Sequence, residues 1–179
     1  CVEIDEQFDE VLKDQRVMPH LHLSIQSGDD MILKRMKRRH NSKDVFEFVE
    51  HCKKIREDVS FGADIIAGFP TETDEMFDNT YRLLKENEIS HLHIFPFSPK
   101  NNTPASRMPQ VSKLIIKKRA KNLRELGELI LKKVKSKLSL PREVLIEELN
   151  LGLAVGYDQN YIKHKVPLVG VPVGEIVRF

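Results

Sequence analysis

Between His20 and Ile25 the chain alternates, with Leu21, Leu23 and Ile25 set against His22 and Ser24, and this period predicts a half-buried strand. A turn of small polar groups follows, Gln26, Ser27, Gly28, Asp29 and Asp30, and the pattern beyond it predicts a helix over 29–37. A second helix starts at the cap candidates Asn41 and Ser42 and aligns Val45, Val49, Cys52 and Ile55 on one face. The run FGADIIAGFP, 61–70, has a dense apolar centre at Ile65, Ile66 and Ala67, which suits a strand covered on both faces. Thr71 and Asp74 make a capping-box-like start for a third helix, with Phe77, Tyr81 and Leu84 as its stripe. HLHIFPF, 91–97, reads as another strand, stopped by Pro96 and Pro99. Strands and helices in this order imply an α/β fold with a parallel sheet or barrel.

The character changes after Pro104. Residues 111–138 read as one long helix, in which Leu123, Leu126, Ile130, Val134 and Leu138 recur at spacings of three and four. Pro141 breaks it. The remainder is β-branched and glycine-punctuated, as in short antiparallel strands of a small β-barrel. The expected organisation is therefore two units, 1–138 and 139–179.

Composition narrows the class. Hydrophobic residues at 40% and charged residues at 31% fit a soluble globular chain. No apolar run approaches the roughly 20 residues of a membrane span, and the acidic start, Glu3, Asp5 and Glu6, is unlike a signal peptide. Two distant cysteines, Cys1 and Cys52, form no disulfide framework or metal cluster, so a cytoplasmic location without membrane association is expected. The missing initiator methionine and the apolar end at Phe179 suggest a piece of something longer. The net charge of +2 hides asymmetry: six acids against Lys13 in the first fifteen residues, and ten bases against Glu125 and Glu128 over 111–138. A basic stripe of this kind attracts polyanions, although charge alone equally describes a solvated helix face.

Ligands of parallel α/β folds bind at the carboxyl ends of strands. Three such ends carry polar groups: Gln26-Ser27-Gly28, Gly68 to Glu72, and Phe97-Ser98-Pro99. Each alone is ordinary turn chemistry, but three in succession point to a small-molecule site. His20 and His22, and His91 and His93, are pairs that each share one sheet face. With no carboxylate or cysteine at ligand spacing nearby, no metal site is expected from them.

Three segments, MPHLHLSIQSGDDMILKRMKRRH, FGADIIAGFPTETDEMF and HLHIFPFSPKNNTPASRM, resemble consecutive parts of radical S-adenosylmethionine methylthiotransferases. Within that family, HIFPFSP with its Pro96 resembles the branch that modifies threonylcarbamoyladenosine in tRNA. The sister enzymes for isopentenyladenosine and for a ribosomal protein usually lack that proline. The tail from Pro141, with GYDQNYIKHKV, is similar to a TRAM domain, a small RNA-gripping β-barrel. The resemblance implies the second half of a partial (β/α) radical SAM barrel, a long helix, and a TRAM-like antiparallel barrel.

It also implies S-adenosylmethionine as cofactor, tRNA as partner, and transfer of a methylthio group to carbon two of the modified adenosine. Gln26, Ser27, Arg38, Asp64, Phe97 and Ser98 match cofactor-pocket positions, Asp64 toward a ribose hydroxyl or behind the pocket. Lys117, Lys118, Lys121, Tyr157, Tyr161 and Lys163 are the candidates for RNA contact. The family's CxxxCxxC run, whose thiolates hold a [4Fe–4S] cluster, is absent, as are the earlier strands and the amino-terminal part. No catalytic residue is therefore assigned, and the 179 residues alone are expected to be inactive. Asn101, Asn102 and Thr103 replace a usual glycine–threonine, a change that asparagine's tolerance of left-handed backbone permits. The alternatives are a non-catalytic RNA-binding remnant, the sister isopentenyladenosine enzyme, or an unrelated barrel enzyme acting on a phosphorylated molecule. The last lacks a glycine-rich phosphate loop.

Overall fold

Alternation of apolar side chains builds a three-stranded parallel sheet with two unlike faces. The computed structural model describes residues 6–138, 142–150, 152–167 and 171–178. Its elements are α1 (Glu6–Lys13), β1 (His20–Gln26), α2 (Asp30–Arg35), α3 (Ser42–Ile55), β2 (Ser60–Ala67), α4 (Asp74–Glu86), β3 (His91–Pro96) and α5 (Lys113–Lys137). Strands β4 (Glu143–Asn150), β5 (Leu153–Asp158), β6 (Lys163–Val166) and β7 (Ile176–Arg178) follow. The first sheet runs β1-β2-β3, all parallel, with Leu23 opposite Ala63 and Ala63 opposite Leu92.

One face, Leu23, Ile25, Phe61, Ala63, Ile65 and Ile94, is closed by Val45, Val49 and Cys52 of α3, Phe77 and Leu84 of α4, and Leu123, Leu126 and Ile130 of α5. Fully burying a side chain such as Ile65 or Phe61 contributes about 1.5–3 kcal/mol each, so this face is the main source of stability. The opposite face carries His22, Ser24, His93 and Phe95, all exposed, with Asp64 and Ile66 half-buried. The expectation that 61–70 is covered on both faces thus fails: β2 is closed on one side only, and it ends at Ala67.

Local signals set most boundaries. Asn41 caps α3 in a reciprocal capping box with Asp44. The cap of α4 is Thr73, whose side chain accepts from Met76 N, and not Thr71. Thr71 instead adopts a left-handed backbone (φ 69). Asn102 is left-handed too (φ 65), as its residue type allows. Helix α1 was not foreseen; Leu12 anchors it in the core. The expected unit boundary at 138/139 adjoins residues 139–141, outside the described residues.

The second sheet is antiparallel, ordered β6-β5-β4-β7, over a small core of Val144, Ile146 and Ala154. Its central polar fixture is Asp158. One carboxylate oxygen accepts from the main-chain amides of Asn160 and Ile162, each at 2.9 Å. The other is bonded by Arg142 and by His164, the latter at 2.9 Å. The turn so formed docks on the amino ends of β1 and β2. Asn160 donates to the carbonyls of Pro19 (3.2 Å) and Asp58 (2.6 Å), and Tyr161 stacks on His20 with centroids 5.3 Å apart.

Burial pushes the Asp158 carboxyl up, but the Ile162 amide, His164 and Arg142 outweigh it and hold the group below its usual 3.8. A depressed carboxylate contributes stability that is present above about pH 3.8 and is lost as pH falls through the folded value. Asp158→Asn is therefore expected to cost about 3–5 kcal/mol at neutral pH, because buried Arg142 loses its partner. As pH falls through the folded value of Asp158 the variant and the parent should converge. Tyrosine emission followed through urea titrations at several pH values measures both effects.

Candidate functional site

The carboxyl ends of β1 and β2 meet at a cavity of about 490 Å³ lined by Gln26, Arg35, Met36, Lys37, Arg38, Ile66, Phe69, Thr103, Pro104 and Ala105. Each turn at its rim is held by groups distant in sequence. After β1, Gln26 is left-handed (φ 71) and its amide donates to Ser24 Oγ at 3.1 Å. The Gly28 amide donates to Thr80 Oγ1 of α4 at 2.9 Å. Asp29 caps α2 through Ile32 N and accepts from Asn79 Nδ2 at 2.9 Å.

After β2 the chain is pinned from α5. Arg119 donates through Nη1 to Glu72 Oε2 at 2.7 Å and to the Glu72 carbonyl at 3.0 Å, and through Nη2 to Asp74 Oδ1 at 2.6 Å. Glu72 Oε2 also accepts from the Gly68 amide at 3.0 Å, so the carboxylate closes its own turn. The side chains of Arg119 and Glu72 are 5% and 2% exposed, which makes this a dry ion pair. Burial holds the Glu72 carboxyl above its usual value, and Arg119 and the Gly68 amide offset only part of that rise. Gly68 is left-handed (φ +75), and a Cβ there would lie 2.4 Å from Ile116 Cγ1, so only glycine lets α5 approach this closely. Phe69, set by this turn, meets the ring of Phe97 edge-on with centroids 5.3 Å apart. Arg35 crosses from α2 to donate to Thr71 Oγ1 at 2.6 Å.

The expected cofactor positions do not all converge. Gln26 and Arg38 line the cavity. Phe97 supports it through Phe69, and Ser98 is exposed just beyond. Ser27 points into the fold, where its hydroxyl meets Thr80 Oγ1 at 3.3 Å and accepts from Asp29 N at 3.2 Å. Asp64 lies deeper, on the open face of the sheet, paired with His22 and His93. The sequence reading held Phe69 only as part of the Gly68 to Glu72 strand end, and named neither Arg35 nor Thr103 as a site residue. Arg35 stood within a basic cluster already visible in the sequence, whereas the other two are ordinary loop residues until the fold gathers them.

For the RNA candidates, Lys117, Lys118 and Lys121 are exposed along the first half of α5, with Lys121 near Glu125 at 3.6 Å. Tyr157, Tyr161 and Lys163 form one stack: the two rings lie 4.8 Å apart, and Lys163 Nζ is 5.8 Å from the Tyr157 centroid. Tyr161 also borders a second cavity, of about 520 Å³, with His20, His22, His91, His93 and Arg124.

Residues 2–84 match the family model of the Radical SAM superfamily. That stretch, just under half of the chain, is what is similar to the superfamily. The chain is 50% identical, over 90% of its length, to a protein of Rickettsia prowazekii named threonylcarbamoyladenosine tRNA methylthiotransferase. A Thermotoga maritima protein of the same name is 39% identical over 97% of the chain. A tRNA-2-methylthio-N(6)-dimethylallyladenosine synthase of Ehrlichia canis is 39% identical over 63%. The chain spans about two fifths of the two threonylcarbamoyladenosine relatives, 38% and 41%.

The superfamily implies S-adenosylmethionine and an iron–sulfur cluster, and the residues here suit only the first. The cavity sets Arg35, Lys37 and Arg38 near apolar Ile66 and Phe69, which matches a ligand with a carboxylate at one end and an aromatic base at the other. Among the described residues Cys52 is the only cysteine. It is fully buried in α3, and burial pushes its thiol up to about 12, the reverse of what a thiolate ligand requires.

The ion pair that shapes the cavity generates a prediction. Arg119→Ala should destabilise the protein by about 3–5 kcal/mol, because Glu72 is left buried and charged. Arg119→Met combined with Glu72→Leu should cost less than Arg119→Ala alone. Urea midpoints of the three proteins decide the matter.

Proposed function

We propose that this chain is part of a tRNA methylthiotransferase that acts on threonylcarbamoyladenosine, with S-adenosylmethionine bound in the cavity at the ends of β1 and β2. The observation that carries this reading is the 50% identity, along 90% of the chain, to a relative of that name. In this reading residues 1–138 are the second half of a partial (β/α) radical SAM barrel with its trailing basic helix. Residues 139–179 are a TRAM-like RNA-binding unit. The sister activity on a dimethylallyl-substituted adenosine has weaker support, since the Ehrlichia canis match stops at 63% of the chain.

S-adenosylmethionine would supply methyl and radical chemistry, and the chain's own part is to hold it. Arg35, Lys37 and Arg38 offer fixed positive charge to its carboxylate. Gln26 can donate and accept at once, which suits an amino-acid headgroup or a ribose. Phe69, braced by Phe97, offers an apolar wall to the base. The cluster ligands belong to the part of the protein outside these 179 residues, so no chemical step is assigned here. Lys117, Lys118 and Lys121 would meet tRNA phosphates, and the Tyr157–Tyr161 stack with Lys163 offers an aromatic surface beside a cation for an unpaired base.

Two measurements test the reading. In the intact enzyme, Gln26→Ala should weaken S-adenosylmethionine by about tenfold to a hundredfold in calorimetric titration, as expected for one lost hydrogen bond to a charged ligand. Its melting curve should not change. A variant that melts earlier yet binds the cofactor normally would make Gln26 a turn residue only. Replacing Lys117, Lys118 and Lys121 with glutamate should weaken tRNA binding and reduce the slope of log affinity against log salt by roughly two to three. An unchanged slope would show that this stripe is only a solvated face.

A further inference from the structure

We propose that His22, Asp64 and His93 form a site for a single divalent transition-metal ion of the zinc class, bound by two imidazole nitrogens and one carboxylate oxygen. The three residues come from β1, β2 and β3, and no stretch of sequence brings them together. The parallel register does: Asp64 stands opposite His93, and His22 stands opposite Gly62, two residues before Asp64. All three side chains rise from the open face of the sheet. This supplies the carboxylate whose absence from the local sequence argued against a metal site.

The donor spacing fits an ion. Asp64 Oδ1 is 2.9 Å from His22 Nε2 and 3.3 Å from His93 Nδ1, and the three ligand atoms lie within 4.8 Å of one another. A tetrahedral ion with bonds of about 2.0–2.1 Å separates its donors by about 3.3 Å, so small side-chain rotations suffice to close the set. The centre is also cleared for the purpose. A Cβ on Gly62 would lie 2.7 Å from His22 Nδ1 and 2.9 Å from the His91 carbonyl oxygen, so a side chain there would displace the His22 ring. The backbone of three hydrogen-bonded strands holds the ligands in place before any ion arrives.

The donor set selects the ion class. Imidazole favours zinc, iron, nickel or copper over calcium and magnesium, which take oxygen ligands. Three protein ligands leave a position open for a water or an incoming nitrogen or oxygen donor. The site stands independently of the cofactor reading, because it lies on the face of the sheet and not in the cavity at the strand ends.

The test uses the untagged 179-residue chain, stripped of metal and titrated with Co²⁺ and then Zn²⁺. We expect uptake of one ion per chain, visible cobalt d–d bands without a thiolate charge-transfer band, and displacement of cobalt by zinc. Asp64→Asn, His22→Gln and His93→Gln should each weaken binding by at least about tenfold to a hundredfold. His93→Gln should leave the metal-free melting curve unchanged, since its side chain is 60% exposed. Cys52→Ser should not alter the cobalt spectrum. Failure to take up one equivalent, or uptake that persists in both Asp64→Asn and His93→Gln, would overturn the proposal and leave the three groups as a hydrogen-bonded cluster only.

Discussion

The architecture of the cavity depends on one dry ion pair, Arg119 with Glu72. Removing two charges from water costs several kcal/mol per ion, and only good geometry offsets it. Here the geometry is supplied on both sides. Glu72 bonds the Gly68 amide within its own turn, and the guanidinium reaches the Glu72 carbonyl and the exposed carboxylate of Asp74 while lying 5.4 Å from the Phe77 ring centroid. One arginine thus ties a helix far along the chain to the end of the central strand and to the start of the helix after it. The pair is a poor source of net stability but a strong specifier of where the turn sits. Phe69 and Thr71, and through Thr71 the guanidinium of Arg35, take their places from it.

The sheet divides the work between its faces. Its apolar face joins α3, α4 and α5 into one core, while its other face carries imidazoles, a carboxylate and a hydroxyl. An alternating strand allows this because successive side chains point to opposite sides. The polar face is organised by its own bonds. His22 and His93 both approach Asp64, whose carboxyl is held below its usual range mainly by the hydrogen bond from His22. At the amino end of the strands burial lowers the pKa of His20 to about 4 and also lowers that of His91, keeping both rings neutral beneath Tyr161. Chemistry on this face is therefore graded, from neutral rings under the second sheet to charged groups toward the cavity.

Attachment of the second sheet follows the same logic of satisfied polar groups. Asn160 is 5% exposed and bonds two carbonyls of the first unit, and its own carbonyl accepts from Ser60 Oγ at 3.1 Å. Asp158 holds the turn that presents Asn160 and the left-handed Tyr161 (φ 61). The face that carries Tyr157, Tyr161 and Lys163 is in this way fastened to the strands that carry the candidate cofactor site.

Much of the fold was legible because its signals are local. Alternation fixed β1 and β3, the Asn41–Asp44 box fixed the start of α3, and spacings of three and four fixed α5. Gln26 was legible as a strand-end residue because a strand and the turn after it are local features, whereas Arg38 entered only through the family resemblance. The partners were not. Thr71 and Thr73 are equally good caps on paper, but Thr71 is left-handed and bonded by Arg35, and Thr73 takes the cap. Ser27 and Gln26 are neighbours in sequence, yet one faces Thr80 in the interior and the other the cavity. Asp64 met the two histidines only through strand register, and Arg119, one base among ten in its helix, became buried only because α5 lies against β2. Sequence alone marked the strands and helices between His20 and Leu138, though not α1, since hydrogen bonding and side-chain periodicity act over a few residues. Tertiary structure decided which polar groups face one another, because that depends on pairings between segments tens of residues apart.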